Sequence, residues 1–248
     1  MDRSVYIAMT GATQTMRAQD AVSHNLANAS TVGFKGELSA FQSLPVLGQG
    51  ANTRINAVAQ GVGEDNSQGS IQSTGRPLDV AVNGPGWIAV QAADGSEAYT
   101  RAGNLQIGAD GSLTDSRGNP VMGSAGPITI PDSSSISISV GSDGTISTVP
   151  MGQSPDTIAA VGQLKLVNPD PSQMTEGADG LMRNNDGSQA DADSTVTVTS
   201  GALEASNVNT SSELVKMISL SRQYEMQVRS IKTAEDDADD STKLLQTN

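Results

Sequence analysis

Apolar and small residues recur at helical spacing over the first part of the chain. The pattern predicts an α-helix from about Ser4 to Ala27, with Asp2 as its N-cap. Steps of four and three residues alternate along Val5, Met9, Ala12, Met16, Gln19, Ser23 and Leu26. This alternation is typical of a coiled-coil seam, although Gln19 and Ser23 weaken it. An ordinary amphipathic helix on a globular core is the alternative interpretation, and the residues alone favour it.

A second and more regular helical pattern occupies the last part of the chain. Thr210 and Glu213 fit a capping box that begins the helix. Steps of three and four then alternate without a break along Leu214, Met217, Ser221, Tyr224, Val228, Ile231, Glu235, Ala238, Thr242 and Leu245. A helix of ~35 residues is about 50 Å long. Because a small domain cannot cover such a helix, we expect another surface to cover part of it.

The charges of this second helix are segregated along its length. The basic residues Lys216, Arg222, Arg229 and Lys232 come first, and the acidic residues Glu235, Asp236, Asp237, Asp239 and Asp240 follow them. Two interpretations stay open. The charges form a solvated face, or neighbouring helices pair with a stagger that places the acidic end beside a basic stretch.

Between the two helical patterns the apolar residues alternate with period two, which is typical of strands. The predicted strands are 78–82, 87–91, 98–101, 136–140, 162–167 and 195–199. Hairpin turns are predicted at Asp94-Gly95, Asp110-Gly111, Asp143-Gly144 and Asp186-Gly187, and loops at Pro127, Pro131, Pro150 and Pro155. A Gly/Asn/Ser-rich stretch over roughly 48–74 connects the first helix to this antiparallel β region.

The order of these patterns predicts an α+β fold with a discontinuous first domain. We expect residues 1–35 and 201–248 to pair into a coiled-coil-like helical polymerisation domain. Residues 36–75 would form a linking segment, and residues 76–200 an inserted antiparallel all-β domain. Much of the apolar surface of the helices would then face other copies of the chain.

Composition supports a thin core and excludes several classes of function. Hydrophobic residues make up 36% and aromatic residues 2% of the 248 residues, so burial must rest on Val, Ile, Leu, Ala and Met. The net charge of −13 and the lack of a Lys/Arg-rich run argue against nucleic-acid binding. Cysteine is absent, which excludes disulfides and thiolate metal sites.

The N-terminal sequence MDRSVYIAMTGATQTM lacks an apolar signal region, and no stretch approaches the ~20 apolar residues of a membrane span. We therefore expect a protein that is cytosolic or that is exported without a cleaved signal peptide.

Candidate chemistry is sparse. His24 is the single histidine and lacks a nearby catalytic partner in the sequence, so a structural role is expected. The stretch NNDGSQADAD (184–193) is rich in oxygen ligands, but its spacing misses the calcium-loop pattern. Trp87 is expected to anchor the β core. We predict no catalytic residue, cofactor or metal. The open alternatives are a structural subunit that polymerises through its terminal helices and a secreted β-rich binding or enzymatic domain framed by them.

Three long stretches resemble the signatures of the flagellar rod and hook proteins, in the same order. These are NLANASTVGFKGE (25–37), RPLDVAVNGPGWIAVQAADGSEAYTRAGNLQIGADGSLTDSRGNPV (76–121) and SGALEASNVNTSSELVKMISLSRQYEMQ (200–227). The resemblance implies a structural subunit without enzymatic activity. Its terminal helices would form an inner layer around the export channel of the rod, and its β domain an outer layer.

Three details resemble the proximal-rod members of the family more than the distal-rod member. LSAFQSLPV (38–46) follows the first signature, RPLDVAV and GW replace the ALDVAI and GFF of the distal protein, and the chain is short. The distal rod protein is the alternative.

The resemblance also implies the partners and the location. The partners are other copies of the chain, the other proximal rod proteins, the distal rod protein and the flagellar type III export apparatus. The location is the rod that spans the periplasm, reached without a cleaved signal peptide.

The chain has two Phe residues. Phe34 lies within the first signature, and Phe41 follows it. We expect Gly33 to adopt a backbone conformation that other residues resist. The two Phe side chains would either anchor the segment on a neighbouring surface or close a small local core. The expected assembly positions are Val5, Met9, Met16, Leu26, Phe34, Leu214, Met217, Tyr224, Val228, Ile231 and Leu245.

Overall fold

The computed structural model describes residues 3–45, 55–130, 137–149 and 159–246. It contains two long α-helices and many short antiparallel strands, which confirms the predicted α+β class. The chain forms two compact units. The terminal unit comprises Met1–Ala29, Gly36–Asp65 and Val208–Asn248, and the central unit comprises Ser30–Lys35 and Asn66–Asn207.

Two helices and one hairpin form the described part of the terminal unit. Helix α1 spans Arg3–Ala27 and helix α2 spans Thr210–Gln246. Strands β1 (Glu37–Pro45) and β2 (Ile55–Glu64) pair antiparallel. The helices contact each other in antiparallel order, since Thr15 meets Gln227 while residues 18–25 line a groove with residues 213–223.

The N-terminus of α2 differs in one detail from the predicted capping box. The side chain of Asn209 accepts a hydrogen bond of 3.0 Å from the backbone N–H of Ser212, so Asn209 is the capping residue rather than Thr210. The carboxylate of Glu213 pairs with Lys216 instead of turning back to the cap. Asn and Thr are both good caps, so the sequence alone does not separate these adjacent positions.

All paired strands of the central unit's described residues are antiparallel. The strands are β3 Ile71–Ser73, β4 Val80–Asn83, β5 Trp87–Gln91, β6 Glu97–Thr100, β7 Gln106–Ile107, β8 Leu113–Thr114, β9 Met122–Gly123, β10 Gly126–Pro127, β11 Ser137–Val140, β12 Thr145–Val149, β13 Ala159–Gln163, β14 Leu166–Val167, β15 Met174–Glu176, β16 Met182–Asn184, β17 Thr197–Ser200 and β18 Ala202–Glu204, with a 3₁₀-helix at Pro171–Gln173. The largest sheet has the order β14-β5-β6-β16-β15, and β11-β12-β13 form a second one. Near the ends of the unit, β3 pairs with β18 and β4 with β17.

Aliphatic residues fill most of the central unit's core, as the composition predicts. Val, Ile, Leu and Ala side chains from β4, β5, β12 and their neighbours form the larger cluster. A second cluster surrounds Trp87, which is 5% exposed, together with Tyr99 and Val167. The prediction that Trp87 anchors the β core is therefore confirmed.

Most of the predicted strands and turns are present. The Asp-Gly turns at 94–95, 110–111 and 143–144 each join two paired strands. The hairpin predicted at Asp186-Gly187 is wrong, because the turn follows β16, whose partners are β15 and β6.

Two further differences concern strand boundaries. The segment predicted as one strand over 162–167 divides between β13 and β14. Strands β2 and β3 lie in the stretch predicted as a connection over 48–74. The predicted loop positions Pro131, Pro150 and Pro155 and the first residue of the strand predicted at 136–140 lie outside the described residues.

Candidate assembly surface

Small residues form the face of α1 that meets α2. Gly11, Thr15, Ala18 and Val22 follow one another at steps of four, three and four residues. The hydroxyl of Thr15 lies 3.3 Å from Oε1 of Gln227. A Cβ added to Gly11 would lie 2.9 Å from Nε2 of the same Gln227, so the missing side chain leaves room for the Gln227 amide.

The face of α2 that meets α1 also has alternating steps of four and three. Its members are partly or fully buried: Glu213, Met217, Leu220, Tyr224, Gln227, Ile231 and Ala234. Of the expected assembly positions, Met217, Tyr224 and Ile231 belong to this row. Leu214 and Val228 lie on the adjoining face of α2, 47% and 43% exposed. The alternation in the sequence therefore spans two faces of the helix.

The outer face of α1 carries two of the four expected positions of that helix. Met9 and Met16 are 52% and 51% exposed, and Tyr6 beside them is also exposed. At about 100° per residue, these side chains lie across the helix from Thr15 and Ala18. Val5 and Leu26 are partly buried. The terminal unit thus leaves large apolar side chains without cover on α1.

A stripe of exposed residues follows the side of α2 directed away from α1. We call it the outer stripe of α2. It contains three apolar residues and two cations, at steps of three, four, four and three: Val215, Ile218, Arg222, Met226 and Arg229. In the isolated chain these apolar side chains are exposed to water, which is unfavourable by roughly 25 cal/mol per Å².

A groove of about 290 Å³ lies between α1, α2 and β1. Ala18, Val22, Leu38 and Leu220 supply apolar wall, and Asn25, Glu37 and Glu213 supply polar groups. The Glu213 side chain is 7% exposed and its Oε1 accepts a bond of 2.6 Å from Lys216. Its second oxygen, Oε2, is buried and has no hydrogen-bond partner among the described residues.

The first signature is held at both of its ends within the terminal unit. The side-chain amide of Asn25 donates to the carbonyl of Glu37 at 2.9 Å, and its Oδ1 accepts from the N–H of Glu37 at 2.8 Å. The carbonyl of Gly36 also accepts from the N–H of Asp65. Asn25 therefore binds the start of β1 in the way that a strand neighbour would.

The middle of the same signature belongs to the central unit and ends in a buried ion network. Nζ of Lys35 lies 2.6 Å from Oε1 of Glu204, and Nη1 of Arg101 lies 2.8 Å from Oε2. All three side chains are almost completely buried. Lys35 also donates to the Ser67 carbonyl, and Glu204 accepts from the N–H of Gly69.

Arg101 makes two further contacts in this network. Its Nη2 donates to the Gly84 carbonyl at 2.8 Å, and its guanidinium carbon lies 5.4 Å from the centre of the Trp87 ring. The packing on Trp87 is a cation–π contact. Sequence reasoning missed the whole network. The only local signal is a lysine set between two glycines, Gly33 and Gly36.

Gly33 adopts the backbone conformation that its sequence context predicts. Its φ is +68°, and its N–H donates to the carbonyl of Glu204 at 2.8 Å. A Cβ at this position would overlap the backbone carbonyl of Arg101. Only glycine combines this φ with so close an approach.

Of the predicted positions Phe34, Phe41 and Leu245, the structure describes the side chain of Phe34 alone. Phe34 is partly buried, and its carbonyl accepts from the N–H of Asn207. Phe41 lies in β1 and Leu245 in α2, but the side chains of both are outside the described part of the structure. The two interpretations of the Phe residues therefore both stay open.

Burial and hydrogen bonds shift the pKa values of several side chains in the central unit. Burial raises the pKa of Tyr99 to about 12. Hydrogen bonds from Arg183 lower the pKa of Asp179 to about 2. In six turns, an aspartate accepts hydrogen bonds from the hydroxyl and the backbone N–H of the Ser or Thr two residues later, and these bonds lower its pKa. The six are Asp94, Asp110, Asp143, Asp170, Asp186 and Asp193. The hydroxyl is the larger cause except at Asp170, where the N–H is.

The other polar groups of the described residues offer little chemistry. His24 is exposed near the end of α1, and its carbonyl accepts from the N–H and side chain of Asn28. Among the described residues, no group of three or more His, Cys, Asp or Glu side chains is placed to hold a metal ion. Within the same residues, neither helix is apolar enough over a sufficient length to cross a membrane.

Three family models match the chain in sequence. Residues 5–35 match the flagella basal body rod protein model. Residues 81–148 match the flagellar hook protein FlgE/F/G D1 domain, and residues 199–244 match the flagellar basal body rod FlgEFG protein C-terminal model. These ranges contain most of α1, most of the first signature with Gly33 and Lys35, much of the central unit and most of α2.

Similar proteins cover nearly the whole chain. The flagellar basal-body rod protein FlgF of Escherichia coli (strain K12) is 43% identical over 99% of both chains. The protein of the same name from Salmonella typhimurium is 42% identical over 99% of both. The rod protein FlgG of Buchnera aphidicola subsp. Schizaphis graminum is 33% identical over 94% of this chain and 95% of its own.

The chain belongs to the flagellar basal-body rod protein family. Its function is that of a structural subunit of the flagellar basal body, and its relatives are structural rod proteins rather than enzymes. The prediction from the three signatures is thus confirmed at the level of the family.

Proposed function

We propose that the chain is a subunit of the proximal rod and assembles through its terminal helices. The observation that supports this most directly is the 43% identity to FlgF over 99% of both chains. The rod would be a tubular drive shaft that transmits torque and encloses the export channel. Export would proceed through the flagellar type III apparatus, without a cleaved signal peptide, into a rod that spans the periplasm.

The exposed apolar residues of both helices support assembly at this unit. Met9 and Met16 on α1 and Leu214 and Val228 on α2 are each more than 40% exposed. Burial against a neighbour would remove that surface from water. The proposed assembly positions are Val5, Met9, Met16, Leu26, Phe34, Leu214, Met217, Tyr224, Val228, Ile231 and Leu245.

The proposed domain organisation follows from the same role. Residues 1–35 and 201–248 would act as a coiled-coil-like polymerisation domain, residues 36–75 as a link, and residues 76–200 as an inserted all-β domain. The partners would be other copies of the chain, the other proximal rod proteins and the distal rod protein.

The distal rod protein is a second candidate, because the FlgG relative is 33% identical over 94% of this chain. Deletion of the gene for this chain in the bacterium that produces it distinguishes the proximal from the distal assignment. Loss of a proximal subunit should leave isolated basal structures without both the distal rod protein and the hook protein. Retention of the rest of the rod, with loss of the hook alone, would identify the chain as the distal subunit.

A further inference from the structure

The groove between α1, α2 and β1 contains a polar group that lacks a partner. Glu213 is more than nine-tenths buried, and Lys216 satisfies only Oε1. Oε2 has no donor within the described residues. A buried carboxylate oxygen without a donor is costly, whereas a charge-assisted hydrogen bond to it is strong. The missing group in this groove is therefore a hydrogen-bond donor.

The walls of the groove specify what surrounds that donor. The apolar side chains of Ala18, Ala21, Val22 and Leu220 line the groove. Leu38 lies at its rim and is 43% exposed. The carboxylates of Glu37 and Glu213 outnumber the single cation of Lys216. A cationic side chain flanked by apolar ones complements both the surface and the charge of this groove.

The outer stripe of α2 presents this combination. Arg222 lies at its middle, with Ile218 one turn before and Met226 one turn after. The described residues provide no hydrogen bond or ion pair for the Arg222 side chain, and Ile218 and Met226 are more than half exposed. The stripe therefore offers an exposed cation between two apolar side chains.

The same molecule cannot join its own stripe to its own groove. At about 100° per residue, the outer stripe lies roughly 170° around α2 from the row that faces α1. We propose that the outer stripe of one copy occupies the groove of a second copy, with Arg222 donating to Oε2 of Glu213. This contact joins two different surfaces, so it repeats from copy to copy without closing as a two-fold dimer.

The inference rests on the proposed function and is tested in isolated basal bodies of the producing bacterium. The chain has no cysteine, so the introduced cysteines are its only thiols. We would combine Ser39→Cys at the rim of the groove with Ile218→Cys or Met226→Cys on the stripe. After oxidation, at least one double variant should form crosslinked dimers and larger species. The three single variants should not, because the contact is not symmetric.

A charge variant tests the role of the cation. Arg222→Glu in the double-cysteine background should reduce crosslinking about tenfold, because it places a second carboxylate beside Glu213. Arg17→Glu, on the exposed part of α1, is the matched control and should leave crosslinking unchanged. Unchanged crosslinking in Arg222→Glu, or equal loss in both variants, would overturn the assigned pairing.

The remaining outcomes are also decisive. A double variant that enters basal bodies but does not crosslink would overturn this contact while leaving the proposed function intact. Crosslinking of the cysteines to a different rod protein, identified by mass spectrometry, would overturn the choice of a second copy as the occupant. Absence of the wild-type chain from basal bodies would overturn the proposed function and this inference together.

Discussion

At the scale of single residues, Gly33 is the position in the first signature where side-chain size matters most. It combines a φ of +68° with a close approach to the Arg101 carbonyl. Neither the conformation nor the space permits a side chain there. The polar, turn-like appearance of the signature therefore reflects a tightly packed backbone.

Replacement of Gly33 by Ala should destabilise the central unit by more than the conformational cost alone. Gly118 is the matched control, since its φ is +88° and a Cβ there would have open space. Gly118→Ala should cost about 1–2 kcal/mol from the left-handed conformation. Gly33→Ala should cost more, because the carbonyl must also move. The free energies of unfolding of both variants can be measured in urea by the fluorescence of Trp87, the single tryptophan. Equal losses in the two variants would contradict the close approach of Gly33 to the Arg101 carbonyl.

Glu204 is the residue on which two buried cations depend. Glu204→Gln would leave Lys35 and Arg101 without a buried carboxylate, and we expect a loss of about 3–5 kcal/mol in the free energy of unfolding. The Asp179–Arg183 pair is the matched control because both side chains are partly exposed. Asp179→Asn should cost no more than about 1 kcal/mol near neutral pH. Comparable losses in the two variants, measured by urea unfolding, would argue against the network as a stabilising element.

At the scale of elements, α2 carries two apolar rows with different surroundings, in addition to its outer stripe. One row faces α1 and includes Ile231, which is partly buried. The other includes Leu214 and Val228, which are exposed in the isolated chain. The helix therefore has apolar surface both for its own unit and for a neighbour.

A charge on each row should separate these two roles. Ile231→Asp should weaken the packing of α2 on α1 by roughly 1–3 kcal/mol and lower the helix content seen by circular dichroism. Val228→Asp should leave the helix content unchanged and abolish incorporation into basal bodies. Neither change should alter the unfolding of the central unit measured by Trp87 fluorescence.

Ser230→Asp, an exposed position outside both rows, is the control for adding a charge to this part of α2. It should leave both helix content and incorporation unchanged. Normal incorporation of Val228→Asp would show that the exposed row is not an assembly contact.

At the scale of the whole molecule, the aspartates of the turns make stability depend on pH. In the folded chain the pKa of Asp179 is about 2, below its ordinary value of 3.8, mainly because Arg183 donates to it. The six turn aspartates shift in the same direction. Folding therefore favours the ionised form, and this stabilisation is complete above pH 3.8 and lost as pH falls through the folded pKa values.

The melting temperature of the central unit should accordingly fall as pH decreases from about 4 to about 2. The difference between wild type and Asp179→Asn should be largest near neutral pH and should shrink over the same range. Thermal scans of Trp87 fluorescence at several pH values measure both quantities. A difference that stays constant down to about pH 2 would contradict the lowered pKa of Asp179.

Local patterns in the sequence predicted the elements and the family. The two helices follow from spacing that each segment contains by itself, and three of the Asp-Gly turns from residues that favour a hairpin. The three signatures by themselves place the chain among the rod proteins, because each is a continuous run of residues. The conformation of Gly33 was predicted for a related reason, since it depends on that residue's own backbone.

Only the tertiary structure decided which face of each helix is covered. The alternation along α2 is compatible with two neighbouring rows. The small residues Gly11, Thr15 and Ala18 of α1 leave room for the side chains of one of them, Gln227 included. The ion network depends on long-range folding in the same way, since Lys35 and Glu204 are 169 residues apart in the chain. Spacing records the period of a helix, whereas the burial of a charge or a face depends on residues that the fold brings from elsewhere.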